Sequence, residues 1–441
     1  MSSALSGDIV KFDDVPMQRF HGWVVASGAI GQFTDGYILG VVGTGIPSVS
    51  AALHLGPVWQ GLVGAGALAG LFLGSLFASS LMDRIGRRPV FAFDMLVFFM
   101  LSVLQFFVSN AGELLFIRLV LGLALGVDYV VGKTYVSEYV PQKQRGTLMS
   151  CLGIAWIFGY TSAYVSGYFM LAIGPSAWRW IFASSAIPAI IGSCIRFRMP
   201  ESALWLVEKG RTEKARAVLK RYFSCPIALP APPVAESAKG YWGRVSQLFQ
   251  GTQRRRTVAI LVFYTCHNIP YFVLNTFLPS VMVDAHVRNP FLAGLIYNLV
   301  ITVGVLFSAV LVNMLGRRSL AAGSLLVQSA LLVPLVVLPH ASPVVSLVLL
   351  CGFGFVLAAS DSLSFVYPPE IFPTSLRAAG IGVTVAISRL TTTLHTLIFP
   401  QVLVLFGMKP TLAWFVITLG MAGFVCYRTA PETKDARLSG L

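Results

Sequence analysis

Long apolar runs separated by short polar intervals dominate this 441-residue chain. The runs approach 20 residues, the length a helix needs to cross a hydrocarbon core, not the roughly 10-residue alternating segments of a membrane barrel. They fall near 21–48, 58–81, 89–109, 113–138, 147–173 and 178–198. After a polar interval they resume near 256–282, 291–315, 319–339, 343–367, 378–406 and 410–428. The pattern predicts an all-α membrane protein with 12 transmembrane helices in two six-helix bundles. The expected organisation is an N-terminal segment (1–20), a first bundle (21–198), a linker (199–255), a second bundle (256–428) and a tail (429–441). In the linker, Ser202 to Phe223 mixes Leu204, Val207, Val218 and Leu219 with charged residues and reads as amphipathic helix, broken by Pro226 to Pro233.

Composition supports lipid as the solvent. Charged residues make up 11% of the chain and hydrophobic ones 56%, whereas soluble domains carry about 25% charged residues. The net charge of +14 changes the picture only through its distribution. Arg84, Arg87, Arg88, Lys143, Arg145, Arg317, Arg318 and Arg377 fall in alternate loops, with the linker's Lys209, Arg211, Lys214, Arg216, Lys220, Arg221, Lys239, Arg244 and Arg254 to Arg256. The opposite loops hold little beyond Arg288 and Lys409. This positive-inside bias predicts cytoplasmic termini and linker in a cell inner membrane. The basic balance therefore reports topology and contact with membrane lipid, not a nucleic-acid partner. The polybasic Arg254 to Arg256 reads as an anchor at anionic headgroups. Six cysteines (Cys151, Cys194, Cys225, Cys266, Cys351, Cys426) form no CxxC and no expected disulfide framework. Met1 to Arg19 lacks a short apolar core of its own, so the first span is expected to serve as the insertion signal.

The two halves repeat one another. Glu138-x-x-Pro141-x-x-x-Arg145 recurs as Glu370-x-x-Pro373-x-x-x-Arg377, and Tyr135 recurs at the same offset as Tyr367. Gly86-Arg87-Arg88 recurs as Gly316-Arg317-Arg318. Loops of membrane proteins do reuse Gly, Pro and Arg, but two motifs at nearly one offset, each after the equivalent span, make coincidence a poor explanation. Halves so related form pseudo-symmetric bundles with a substrate site at their interface near the bilayer midplane.

These motifs resemble a known family. Gly74 to Arg88, with Asp83-Arg84-x-Gly86-Arg87-Arg88, is similar to the loop signature of the major facilitator superfamily. Arg118-x-x-x-Gly122, Glu138-Tyr139-Val140-Pro141 and Arg145-Gly146 resemble the fourth span and its exit in the sugar-porter branch. Pro200-Glu201-Ser202 and Pro431-Glu432-Thr433-Lys434 resemble that branch's motifs after the sixth and twelfth spans. The resemblance implies a gating network of carboxylates facing Arg across the cytoplasmic mouth: Asp83, Arg87, Arg88, Glu138, Arg145, Glu201, Arg317, Arg318, Glu370, Arg377 and Glu432. For Arg87, Arg88, Arg317 and Arg318, ordinary anchoring of helix ends is an open alternative. Asn313 replaces Asp83 in the second copy, so the C-terminal latch is expected to be weaker or absent.

An ionisable side chain within the hydrocarbon costs about 2.5–3.5 kcal/mol and needs a partner or a water-filled cavity. The candidates are Asp35 in the first span, Arg118, Asp128 and Lys133 in the fourth, Asp361 in the tenth and Arg389 in the eleventh. The peripheral third, sixth, ninth and twelfth spans are expected to carry no mid-span charge, with Asp94 near the cytoplasmic end of the third. By resemblance to proton-coupled sugar porters, Asp35 is expected opposite Arg118, either as a coupling pair or as a static tie between helices. Gly126-x-Asp128-Tyr129 also resembles phosphate–proton symporters, with Val130 in place of that family's Pro; this adds Asp128 to the proton-coupling set and Tyr129 to the substrate site. Lys133 lies five residues on, about 140° around the helix from Asp128, and either touches substrate or pairs with Asp361. Arg389 suits a carboxylate or phosphate, having bidentate geometry, with donors from His267, Asn268 and Asn298; neutralising Asp361 is the equal alternative. His395 reads as an interior histidine.

Hexose porters present glutamines from the fifth and seventh spans. Here the matching positions read Gly153 and Tyr160, and Cys266-His267-Asn268-Ile269-Pro270-Tyr271. Trp156, Tyr160, Tyr164 and Tyr271 could stack on a ring-bearing substrate or simply pack. The expectation is a secondary transporter, not an enzyme, that couples a small organic anion to the proton gradient. It would need no metal or cofactor and would work as a monomer. A sugar or polyol porter, a proton/drug antiporter and a non-transporting nutrient sensor remain as alternatives.

Overall fold

A computed structural model of the chain describes residues 15–223, 227, 241–338 and 342–433. The first half comprises α1 (Arg19–Leu53), α2 (Pro57–Ile85), α3 (Arg87–Leu104), α4 (Ala111–Tyr139) and α5 (Arg145–Met170). Its sixth span is made by α6 (Ala177–Ala183) and α7 (Ala186–Arg196). The linker contributes α8 (Ala203–Glu208), α9 (Thr212–Tyr222) and α10 (Tyr241–Leu248). The second half runs through α11 (Gly251–Thr276), α12 (Leu278–Asp284), α13 (Pro290–Met314), α14 (Arg317–Val337), α15 (Pro343–Ala359), α16 (Ser362–Ile371), α17 (Thr374–Phe406) and α18 (Met408–Thr429). Among the described residues 12 helical spans are long and apolar enough to cross a bilayer. Large apolar side chains such as Phe77, Phe116, Val344 and Leu405 face outward, as a lipid solvent requires.

The linker helix expected over Ser202 to Phe223 is two helices, because Gly210 takes a left-handed φ of 70° between α8 and α9. Pro226, Pro233, Cys225, Lys239 and Lys434 lie outside the described residues.

Packing follows the duplication. Within the first half α2 packs on α4, α1 on α5 and α3 on α7. The second half repeats this as α13 on α15, α11 on α17 and α14 on α18. The halves meet through α2 against α17 and α5 against α13, a pair that the pseudo-twofold exchanges.

Close packing in lipid relies on small residues, since there is no hydrophobic drive between helices. The α2–α4 seam shows this from both sides. A Cβ on Gly70 or Gly74 would lie 2.1 or 2.0 Å from the carbonyl oxygens of Leu119 and Leu123, and one on Gly122 would lie 2.2 Å from that of Ala67. Backbone cannot yield as a side chain can. Gly122→Val is therefore expected to separate α2 from α4 and lower stability by about 1–3 kcal/mol. A thermal melt of the purified protein checks it; an unchanged midpoint would contradict this seam.

The two halves also touch on the face remote from the termini. There Gly64 lies against Phe277 and Gly294 against Tyr164, and a Cβ on Gly61 would sit 2.1 Å from the Leu397 carbonyl oxygen. Nearer the middle, the Thr161 and Thr302 hydroxyls share a hydrogen bond of 2.7 Å.

Candidate functional site: a central cavity with an unpaired guanidinium

Between the halves lies a void of ≈ 470 Å³, open mouth included, walled by aromatic rings and a few polar groups. The first half supplies Gln32, Tyr129 and Trp156, and the second supplies Tyr264, Asn268, Tyr271, Phe272, Asp361 and Arg389. Trp156 and Tyr160 are stacked at 5.6 Å and 26°, and Trp156 lies 6.1 Å from both Tyr271 and Phe272. Tyr160 stands behind this wall.

Arg389 is the main electrostatic feature. Its side chain projects from α17 between Phe272, whose ring centroid is 4.8 Å from the guanidinium carbon, and Tyr129, at 5.3 Å. Nη2 reaches the Tyr129 hydroxyl at 3.4 Å. Nε and Nη1 find no hydrogen-bond partner among the described residues, although Arg389 is 4% exposed. The alternative that Arg389 neutralises Asp361 is not what the structure has. Asp361 instead approaches His267, with Nε2 to Oδ1 at 3.7 Å. Asp361 stands where the tenth span breaks between α15 and α16, a break the apolar run 343–367 did not reveal. The Lys133 ammonium sits 3.4 Å from the centroid of the Tyr129 ring, one helical turn away, so Tyr129 rather than Asp128 is its neighbour. Asn268 donates to the Tyr264 carbonyl at 2.7 Å and faces the cavity. Asn298 does not: it donates to Gly294, and its carbonyl faces Thr161 across the contact between halves.

The expected Asp35–Arg118 pair is absent. Arg118 donates from Nη1 to the Ile38 carbonyl at 3.3 Å and lies 5.4 Å from the Phe182 centroid. Asp35 accepts from Gln32 at 3.0 Å. The two residues have different neighbours because Ile38 lies about one turn beyond Asp35 on α1, nearer the remote face. The peripheral third and sixth spans carry their charges at their ends, and there the structure brings those charges together. Arg196, at the end of α7, is fully buried and binds carboxylates from two other helices. Nη1 reaches Asp128 Oδ1 at 2.6 Å and Asp94 Oδ1 at 3.0 Å, and Nη2 reaches Asp128 Oδ2 at 3.2 Å. Nε donates to the Ser27 carbonyl of α1 at 3.1 Å. Room for this comes from Gly31, where a Cβ would lie 1.5 Å from Nη2. Asp128 is thus held in an ion pair behind the cavity wall. In the sequence Arg196 reads as one more basic residue at a cytoplasmic helix end, as does Asp94 as an acidic one; only packing shows that they meet.

The residues expected to gate form two clusters, one per half. Arg87 Nε meets Glu138 at 3.3 Å and Nη1 meets Asp83 at 3.1 Å, while Glu201 accepts from the backbone N–H of Arg87 and Arg88, both at 3.0 Å. Ser202 bonds Glu138, and the Tyr135 hydroxyl donates to the Pro200 carbonyl at 2.7 Å. The second half repeats the set. Arg317 meets Glu370 at 3.1 and 3.0 Å, Glu432 accepts from Arg317 and Arg318, Thr433 bonds Glu370, and Tyr367 donates to Pro431. The C-terminal cluster is therefore not absent: Glu370 grips Arg317 with two bonds. Arg145 donates to the Val140 carbonyl at 3.2 Å, and Arg377 makes no ion pair among the described residues. The described ion pairs here join residues of the same half, or the first half to the linker through Arg87 and Glu208 at 3.6 Å, and none joins one half to the other.

Twelve spans, two interchangeable halves and a midplane cavity define a multi-pass membrane transporter of the major facilitator fold. The chain belongs to the sugar (and other) transporter family, whose model matches residues 23–441. It is 36% identical to the inner membrane metabolite transport protein YgcS of Escherichia coli K12 over 425 residues, covering 96% of this chain and 94% of that one. It is 28% identical to the niacin transporter NiaP of Acinetobacter baylyi, covering 87% of each. Among solved structures, a partially occluded inward-open form of the xylose transporter XylE from E. coli superposes with a TM-score of 0.80 at 20% identity, covering 95% of this chain and 100% of that one.

Proposed function

We propose that the chain is a proton-coupled symporter that imports a small organic anion by alternating access. The observation that carries this reading is Arg389, a buried guanidinium with two donating nitrogens unoccupied in an aromatic cavity. A carboxylate is the planar acceptor that an edge of such a guanidinium fits, Nη2 together with either Nε or Nη1. The ring-lined walls favour a flat substrate, and the similarity to a niacin transporter points the same way. Coupling follows from energetics: a membrane potential opposes anion entry by about 2.3 kcal/mol per charge per 100 mV, which at least one accompanying proton offsets. The basic loops support a cytoplasmic setting for both termini and the linker, and the expected working unit is a monomer.

Proteoliposomes given nicotinate, benzoate, an aliphatic carboxylate, phosphate and hexoses test this. Carboxylate uptake driven by an inward proton gradient is expected, and uptake indifferent to the gradient would remove the symport claim. A sugar or polyol substrate is the second reading, favoured by the family match and by Gln32 and Asn268 in the cavity wall. Uptake of neutral sugars without competition by carboxylates would establish it.

A further inference from the structure

Asp361 in the cavity wall and His267 buried behind it form an ionisable pair that anion binding leaves without a task. His267, on α11, is 1% exposed, and its ring stacks on Phe263 at 5.5 Å and 23°. Neither ring nitrogen finds a hydrogen-bond partner among the described residues. Burying polar atoms unpaired is costly, so an imidazole kept in this state calls for an explanation. Its nearest charged neighbour, Asp361, is 3.7 Å away, beyond hydrogen-bond reach but within the distance a small shift closes.

Asp361 occupies a position able to make that shift. It sits between α15 and α16, where the helical ladder tightens: its N–H donates to the Ala358 carbonyl at 3.1 Å, and its own carbonyl accepts from Ser364 at 2.9 Å. Its side chain lines the central cavity and also a smaller void of ≈ 330 Å³ beside Ser150, Gly153, Val305 and Ser308. Discontinuous membrane helices of this kind are used by transporters to hold coupling ions. The carboxylates singled out by family resemblance are less available. Asp128 is occupied by two nitrogens of Arg196, and Asp35 is 1% exposed and bonded to Gln32.

We propose that His267 and Asp361 together bind the coupling proton, held between Nε2 and Oδ1 when the α15–α16 break closes the gap between them. The proposal rests on the symport reading above. A proton from solution adds to the Nε2 lone pair, no covalent bond to another atom breaks, and the same proton leaves when the pair separates. The groups facing the pair are Arg389 from α17, Tyr129 and Lys133 from α4, and Tyr264 and Tyr271 from α11 itself. α13 and α15 contain no charged residue, and those of α14 and α18 lie near helix ends. Proton binding thus adds positive charge beside Arg389 when the anion enters, and proton loss weakens the hold on it.

The test reads the imidazole directly and needs no substrate. In lipid nanodiscs carrying ¹⁵N-histidine protein, the His267 signal is assigned by its loss in His267→Gln. The doubly protonated ring is expected to appear as the pH is lowered, and to need a lower pH in Asp361→Asn. A ring that never becomes doubly protonated, or one whose protonation is unmoved by Asp361→Asn, overturns the proposal. A second arm uses nicotinate in proteoliposomes. His267→Gln is expected to lose gradient-driven nicotinate accumulation at least tenfold; full accumulation in that variant overturns the proposal. Wild-type uptake indifferent to the gradient would instead overturn the symport reading, and the titration separates the two failures.

Discussion

Arg196→Leu is expected to yield little folded protein, with the recovered fraction melting well below the wild type. Arg196 compensates Asp94 and Asp128 at once and donates to the α1 backbone through Ser27. Removing the cation leaves two buried carboxylates with no partner of opposite charge at contact distance. Breaking a buried pair by deleting one member costs about 3–5 kcal/mol, chiefly because the surviving charge stays desolvated. The mechanism has a distinguishing consequence. Adding Asp94→Asn and Asp128→Asn to Arg196→Leu is expected to recover folded protein relative to the single variant, since neutral amides leave no stranded charge. Size-exclusion profiles and melting midpoints in detergent read both effects. A single variant as monodisperse and heat-stable as wild type would mean that Arg196 does not hold the carboxylates as ions. Gly31→Leu attacks the same point from α1 by occupying the space of Nη2 and is expected to fail similarly.

What the sequence made legible was whatever repeats or follows from solvent. Apolar run length gave the spans, and the recurrence of Tyr135 and Glu138 at Tyr367 and Glu370 gave the duplication, although Asn313 in place of Asp83 suggested a weaker or absent second latch. Each copy does tie the end of one span to the segment that leaves the half. The partners within those latches were not legible. Arg87 and Arg317, for which anchoring of helix ends was an open alternative, grip Glu138 and Glu370. Which charges meet inside the bundle depends on helix rotation and depth, to a fraction of a turn. Asp35 and Arg118 are on the right helices but about one turn apart in depth, so no pair forms. Arg196 was hidden for the opposite reason: an Arg beside a basic loop satisfies the positive-inside pattern already, and nothing local marks it as buried. The break at Asp361 was equally silent, because an apolar run carries no sign of where its backbone changes course.

Arg389→Ala is expected to reduce organic-anion uptake about 100-fold or more while leaving the melting midpoint close to that of wild type. A carboxylate seated on one guanidinium edge, Nη2 with Nε or Nη1, would make two charge-assisted hydrogen bonds of about 1.5–3 kcal/mol each, and every 1.4 kcal/mol is about tenfold in affinity. Little folding energy is at stake, since Arg389 forms one 3.4 Å hydrogen bond to Tyr129 and ring contacts with Tyr129 and Phe272. Arg389→Lys separates charge from geometry. It keeps a cation in the cavity but loses the planar fork, so an intermediate loss of about tenfold is expected, larger for planar carboxylates than for phosphate. Concentration dependence of initial uptake in proteoliposomes reads these outcomes. Arg389→Ala with undiminished carboxylate uptake would show that the anion is held elsewhere, with Lys133 above Tyr129 as the next cation to remove. Neutral-sugar uptake surviving intact in the same variant would favour the sugar reading. The guanidinium would then be a structural cation shielded by its two aromatic rings, and the aromatic walls would be the sugar's stacking surface.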